Sequence, residues 1–150
     1  MQYNQFMCAY RLHFFTHRAI VQTIYSNLSK FNEDIINESL ENFDIDEIDV
    51  NIYKEKMGKI LLEWDALNVI VKKFEEGYSG LTRCAKSVLF AAIVELDDCS
   101  VPKNTNSKII NDSLEIAKVF CPSEMKIINK ILDFYCNKIT AEKESIPLSE

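Results

Sequence analysis

His13 and His17 stand four residues apart, a spacing that sets two imidazoles on one face of a helix and is used by helical zinc sites. Zinc needs about four ligands, and no nearby cysteine, histidine or carboxylate completes the set at a compatible spacing, so no metal site is expected. Five cysteines, Cys8, Cys84, Cys99, Cys121 and Cys136, form no Cys-x-x-Cys pair, and their odd number does not suit a closed disulfide framework. They lack a histidine partner identifiable in the sequence. There is also no Gly-rich phosphate loop, no Gly-x-Ser-x-Gly and no cofactor fingerprint. Neither catalysis nor a cofactor is therefore expected. Phe14 and Phe15 lie between the two histidines. A phenyl ring there can offer a stacking face to an unpaired base, a contact worth about 1 to 3 kcal/mol, or can belong to the core of an amphipathic helix.

The elements that must position these residues read as helical. Only three glycines and three prolines punctuate the chain, and its long apolar patterns repeat at steps of three and four rather than two. Tyr53, Met57, Ile60, Leu61, Trp64, Leu67, Val71 and Phe74 fall on one face of a single expected helix, with Trp64 assigned to the core. Leu81, Ala85, Val88, Leu89, Ala92, Ile93 and Leu96 repeat the pattern, and Phe90, Ala91 and Val94 make the other side apolar too. A helix apolar all round belongs at the centre. Gly77 and Gly80 separate these two helices. Ile109 to Ala117 outline a further helix and Ile127 to Tyr135 the last, with Pro122 near its first turn. A first helix is expected around Arg11 to Lys30 and a short one around Glu33 to Asn42. Pro102 to Asn106 is the most loop-like internal segment, where Asn104, Thr105 or Asn106 would cap the next helix.

A chain of 150 residues with 47% hydrophobic content suffices for one core and leaves no room for a second sizeable domain. No window approaches the roughly 20 apolar residues that span a bilayer, and Met1 to Ala9 has neither a basic start nor a sustained apolar run, so a cytoplasmic protein without a membrane is expected. The formal net charge of −6 does not describe a protein that grips phosphates over its whole surface. Its distribution is uneven. Residues 1–32 contain no Asp or Glu but include Arg11, Arg18 and Lys30, whereas residues 33–53 carry acids at 33, 34, 38, 41, 44, 46, 47 and 49 and no Lys or Arg. The chain has a mildly basic end and an acidic flank, a polarity able to steer a basic partner.

Between Cys84 and Asp133 lie, in order, Ala85-Lys86-Ser87-Val88-Leu89, Glu95-Leu96, Val101-Pro102, Ile110-Asn111-Asp112, Glu115-Ile116-Ala117-Lys118, Phe120 and Ile128-Asn129. Upstream stands Ala19-Ile20-Val21-Gln22-Thr23-Ile24-Tyr25. In order and spacing this set resembles the NusB family of bacterial antitermination factors, over nearly the whole chain and weakly between Leu28 and Ser79. The resemblance implies an all-α, compact bundle of six or seven helices over residues 1–139; the polar residues 140–150 are expected to form a loose tail. It also implies a function: binding the boxA RNA of ribosomal RNA leader transcripts together with the small-subunit ribosomal protein NusE. The transcript is thereby tied to the elongating RNA polymerase and terminators are passed, with no chemistry by the protein itself.

Where the family is usually rich in RNA-gripping arginines, this chain reads His13-Phe14-Phe15-Thr16-His17-Arg18. The resemblance thus assigns RNA binding to Arg11, His13, His17 and Arg18. Lys126, Asn129 and Lys130 join them if the last helix packs beside the first, as in the family. Binding would then strengthen at lower pH as the imidazoles gain charge. Asn111 and Asp112 are assigned to structure, as a polar link between helices. Two other readings fit the same segments. One is a protein-interaction adaptor that keeps the NusE-type partner and has largely lost RNA binding. The other is an RNA-docking domain like the one some ribosomal RNA cytosine methyltransferases carry ahead of their catalytic domain.

Overall fold

The computed structural model describes the backbone of residues 2–78, 80–98 and 105–145, and within these the side chains from 11 to 139. The described residues form seven α-helices and no strand: α1 (Gln2–Ser26), α2 (Glu33–Leu40), α3 (Val50–Leu62), α4 (Trp64–Gly77), α5 (Arg83–Asp97), α6 (Asn106–Phe120) and α7 (Met125–Ser145). The all-α bundle expected from the periodicity is the fold.

Helix α5 is the axis of the molecule, because its apolar residues face every direction and each direction must be covered. Ala85, Val88, Leu89, Ala92 and Ile93 are fully buried, and Phe90, Ala91, Val94 and Leu96 nearly so. Helices α1, α3, α4, α6 and α7 all pack against it, while α2 sits on α1 and α3. Its first turn is closed by Thr82, whose hydroxyl oxygen accepts from the Ala85 N–H (3.2 Å) while the hydroxyl donates to Glu124. Glu124 lies in the 3-10 turn Pro122–Glu124 that leads into α7, so this pair ties the start of α7 to the start of α5. At the other end, the Tyr135 hydroxyl of α7 donates to Asp97 at 2.7 Å. The two helices therefore run parallel.

Several boundaries differ from the sequence reading. Helix α1 begins well before Arg11 and stops at Ser26, after which Asn27 and Lys30 close successive turns. The helix expected from Tyr53 to Phe74 is two helices broken at Glu63, although the predicted face is buried on both sides of the break. Glu63 itself, at φ −99° and ψ 12°, departs from helical geometry, while the Leu67 N–H still donates to its carbonyl at 2.9 Å. Trp64 starts the second piece, half-buried between Phe31 (4.3 Å) and Phe90 (4.8 Å) in a near-parallel stack of rings. The short second helix stops at Leu40, with Asn32 as its cap. Helix α7 continues past Thr140 to Ser145, where a loose tail was expected, and residues 146–150 lie outside the described residues. Of the loop-like segment from Pro102, only Thr105 and Asn106 are described, Thr105 at the N-cap position of α6.

No described helix is long and apolar enough to cross a membrane.

Candidate nucleic-acid interface

Helix α1 carries Arg11, Phe15 and Arg18 on one stripe, since steps of four and three residues return to the same side. The Arg18 guanidinium lies 4.6 Å from the Phe15 ring centroid and that of Arg11 5.8 Å from it. Phe15 is half-buried and meets Phe14 edge to face at 5.9 Å. The ring is thus anchored from below while its flanks hold two guanidinia. A cation over a ring face is attracted by its quadrupole, by about 0.5 to 1 kcal/mol at exposed sites. Two long side chains that would otherwise roam are thereby held along one ridge.

The histidines turn elsewhere. His17 is only 4% exposed, and its Nδ1 sits 3.3 Å from Glu95 Oε1 on α5. Lys56 of α3 approaches the same carboxylate oxygen at 3.9 Å. Burial alone would push the Glu95 carboxyl up, but the His17 hydrogen bond and the charges of His17, Lys56 and His13 outweigh it and hold it below the usual carboxylate value. His17 Nε2 is buried with no hydrogen-bond partner among the described residues. His17 is therefore corrected from a surface contact to an interior one: its ring lies between α1 and α5, where no phosphate reaches. His13 is 44% exposed, and its Nε2 lies 3.6 Å from Asp112 Oδ2 of α6. Its polar edge faces a carboxylate, which would compete with an RNA phosphate for the same donor. Asp112 lies inside α6 and makes the expected polar link, to α1, while its neighbour Asn111 is exposed.

Lys126, Asn129 and Lys130 are all exposed on α7, but the structure does not bring them to the α1 ridge. Helix α1 packs on α5, α3 and α2, and α7 on α5 and α6, with no substantial packing between α1 and α7. The start of α7 is tied to Thr82, at the beginning of α5, whereas His17 meets Glu95 in its last turns. At 1.5 Å per residue these anchors stand about 20 Å apart along α5. The expected seven-residue surface therefore divides into two patches at opposite ends of the central helix.

No family model matches the chain, and no curated protein matches it.

Among the described residues no group of three or more His, Cys, Asp or Glu is arranged to hold a metal ion. Cys121 is buried beside Cys84; burial first, and the Cys84 contact second, push its thiol up to about 12. It is therefore held protonated, far from the thiolate that nucleophilic chemistry needs. The sequence reading missed Phe15 as a mount for two arginines, although the 11, 15, 18 spacing was visible in the chain. It also missed Glu95 and Asp112 as the histidines' partners. No local signal pointed to either, because 78 and 99 residues of chain separate the members of each pair.

Proposed function

We propose that this chain is a NusB-like RNA-binding protein acting in transcription antitermination: it contacts a boxA-type single-stranded RNA in company with the ribosomal protein NusE, in the cytoplasm and without catalysis. The observation that carries this reading is the Arg11–Phe15–Arg18 ridge, with Arg18 held 4.6 Å and Arg11 5.8 Å from one ring. Clustered cations beside an aromatic ring are what single-stranded nucleic acid requires, because phosphates answer to charge and bases to π-faces. The ridge stands on a stretch of chain that contains no acid of its own up to Asn32. The all-helical bundle with α5 at its centre is compatible with the segment order that suggested the family, since Ala85, Val88, Leu89 and Leu96 are all buried.

The adaptor reading is favoured by a separate observation, the interior position of His17 and the remoteness of the α7 residues, which leave a smaller basic surface than the resemblance implies. One titration decides between them: boxA RNA into the protein with NusE, for the wild type and for Arg11→Ala with Arg18→Ala, at several salt concentrations. The expected result is at least a tenfold loss of affinity in the double variant and a fall of about 1.4 in the slope of log K against log salt, from two lost contacts on a single strand. Retained NusE binding without any RNA affinity in the wild type would establish the adaptor instead.

A further inference from the structure

A cleft of about 770 Å³ opens between the C-terminal half of α1 and α2, reaching Cys84 at the start of α5 and Phe120 at the end of α6. Its size is that of sites for small organic ligands. Thr23 and Ser39 form its floor, and behind them the Tyr53 hydroxyl lies 2.9 Å from that of Thr23 and is hydrogen-bonded to Ser39, all three residues being buried. Those hydroxyls are engaged with one another, so the polar groups left to meet a ligand are those of the rim.

The rim has two kinds of group. Tyr25, Phe43 and Phe120 supply aromatic surface, with Tyr25 46% and Phe120 37% exposed although both are large and apolar in body. Gln22, Asn42 and Glu38 supply hydrogen bonds, and Glu38 is exposed and forms no ion pair with any described residue. Beside the mouth, Arg83 places its guanidinium 5.4 Å from the Tyr25 ring, and its Nε donates to the Tyr25 carbonyl at 2.6 Å. The cleft thus combines flat apolar walls, one unneutralised carboxylate acceptor and a guanidinium at the edge.

We propose that this cleft binds a guanine nucleotide, either free or as an unpaired residue of single-stranded RNA, with the base against the aromatic rim, its N1–H and N2–H₂ donating to Glu38, and its phosphate at Arg83. Among the bases guanine alone presents two adjacent donors on its pairing edge, which match the two oxygens of a carboxylate. Adenine would set its N1 lone pair against the same charge, and a pyrimidine offers no such pair of donors beside each other at physiological protonation. The aromatic rim accepts any base, so the carboxylate supplies the selectivity. This site is separate from the α1 ridge and makes a different demand on the RNA: one unpaired guanine rather than a run of phosphates.

The test is an NMR titration of the ¹⁵N-labelled full chain with GMP, AMP and guanosine, and with two RNA pentamers, all-adenine and with one central guanine. GMP is expected to saturate, shift the amides of Gln22, Asn42 and Phe43, and bind at least tenfold tighter than AMP. Glu38→Gln should abolish that preference, because an amide accepts at one atom only, and Arg83→Ala should weaken GMP while leaving guanosine unchanged. Both side chains are exposed, so neither substitution disturbs the core. A guanine pentamer that binds tighter than GMP assigns the site to RNA; one that binds no tighter assigns it to the free nucleotide. The Arg11→Ala, Arg18→Ala variant should bind GMP as the wild type does, which separates failure of this site from failure of the antitermination reading. Absence of saturable binding by GMP and by both pentamers, equal affinity for GMP and AMP, or a guanine preference that survives Glu38→Gln would each overturn the proposal.

Discussion

A carboxylate buried beside two basic groups couples stability to pH, and Glu95 is the residue where that coupling resides. Its folded-state pKa is depressed below the ordinary 4.5, because the His17 hydrogen bond and neighbouring positive charge outweigh burial. A depressed carboxyl contributes stability that is fully present above the unfolded value and is lost as pH falls through the folded one. The wild type is therefore expected to lose stability below about pH 4.5, and Glu95→Gln to lose about 1 to 3 kcal/mol at pH 7 by leaving the His17 and Lys56 donors poorly matched. Urea melts at pH 7 and pH 3.5 check both: the gap between the two proteins should narrow at the lower pH, and a constant gap would remove the carboxylate charge from the account. His17→Ala should likewise lower the melting temperature. In the folded protein it should leave RNA affinity unchanged, since its ring, 4% exposed, meets α5 rather than solvent.

At the scale of elements, the two glycines whose roles differ most are Gly58 and Gly80. Gly58 lies inside α3 with nothing within 4 Å of where a Cβ would stand, so alanine there only removes unfolded-state freedom. Gly58→Ala is expected to stabilise by about 0.5 to 1 kcal/mol. Gly80 has φ of 104° before α5 and equally open surroundings, so the cost of a side chain there is conformational strain alone. Gly80→Ala should destabilise by about 1 to 2 kcal/mol. Opposite signs from the same substitution, read in paired thermal melts, are the expected outcome, and matching signs would contradict the assigned backbone roles. Gly80 was legible in the chain as a separator of two helices. The break at Glu63 was not, because no glycine or proline marks it.

Across the whole molecule, α5 distributes stability and also keeps the two basic patches apart. Leu89 is fully buried midway along it, and Leu89→Ala should cost about 2 to 5 kcal/mol in a denaturant melt, through lost contacts and the cavity left behind. An unchanged midpoint would mean that the centre lies elsewhere. Lys126→Ala with Lys130→Ala should leave the affinity of a short boxA RNA within about twofold of wild type. The reason is geometric, since the start of α7 is anchored by Glu124 to Thr82 at the far end of α5 from the α1 ridge. A tenfold loss in that variant would show a single RNA path joining both patches.

Read alone, the chain determined its helical class, the apolar faces of α3, α4, α5 and α7 and the identity of its central helix. All three follow from local periodicity, which sets which side of an element is apolar whatever it later packs against: Ala85, Val88, Leu89, Ala92 and Ile93 are all buried, as their spacing required. Tertiary structure alone decided that His17 faces Glu95, that His13 faces Asp112, and that the α7 lysines stand away from Arg11 and Arg18. It also decided that Tyr25, Glu38 and Phe120, drawn from three helices, share one cleft. A spacing of four places two side chains on the same face, but what that face meets depends on how distant segments pack, and a polar group finds its partner only once burial has removed water as the alternative.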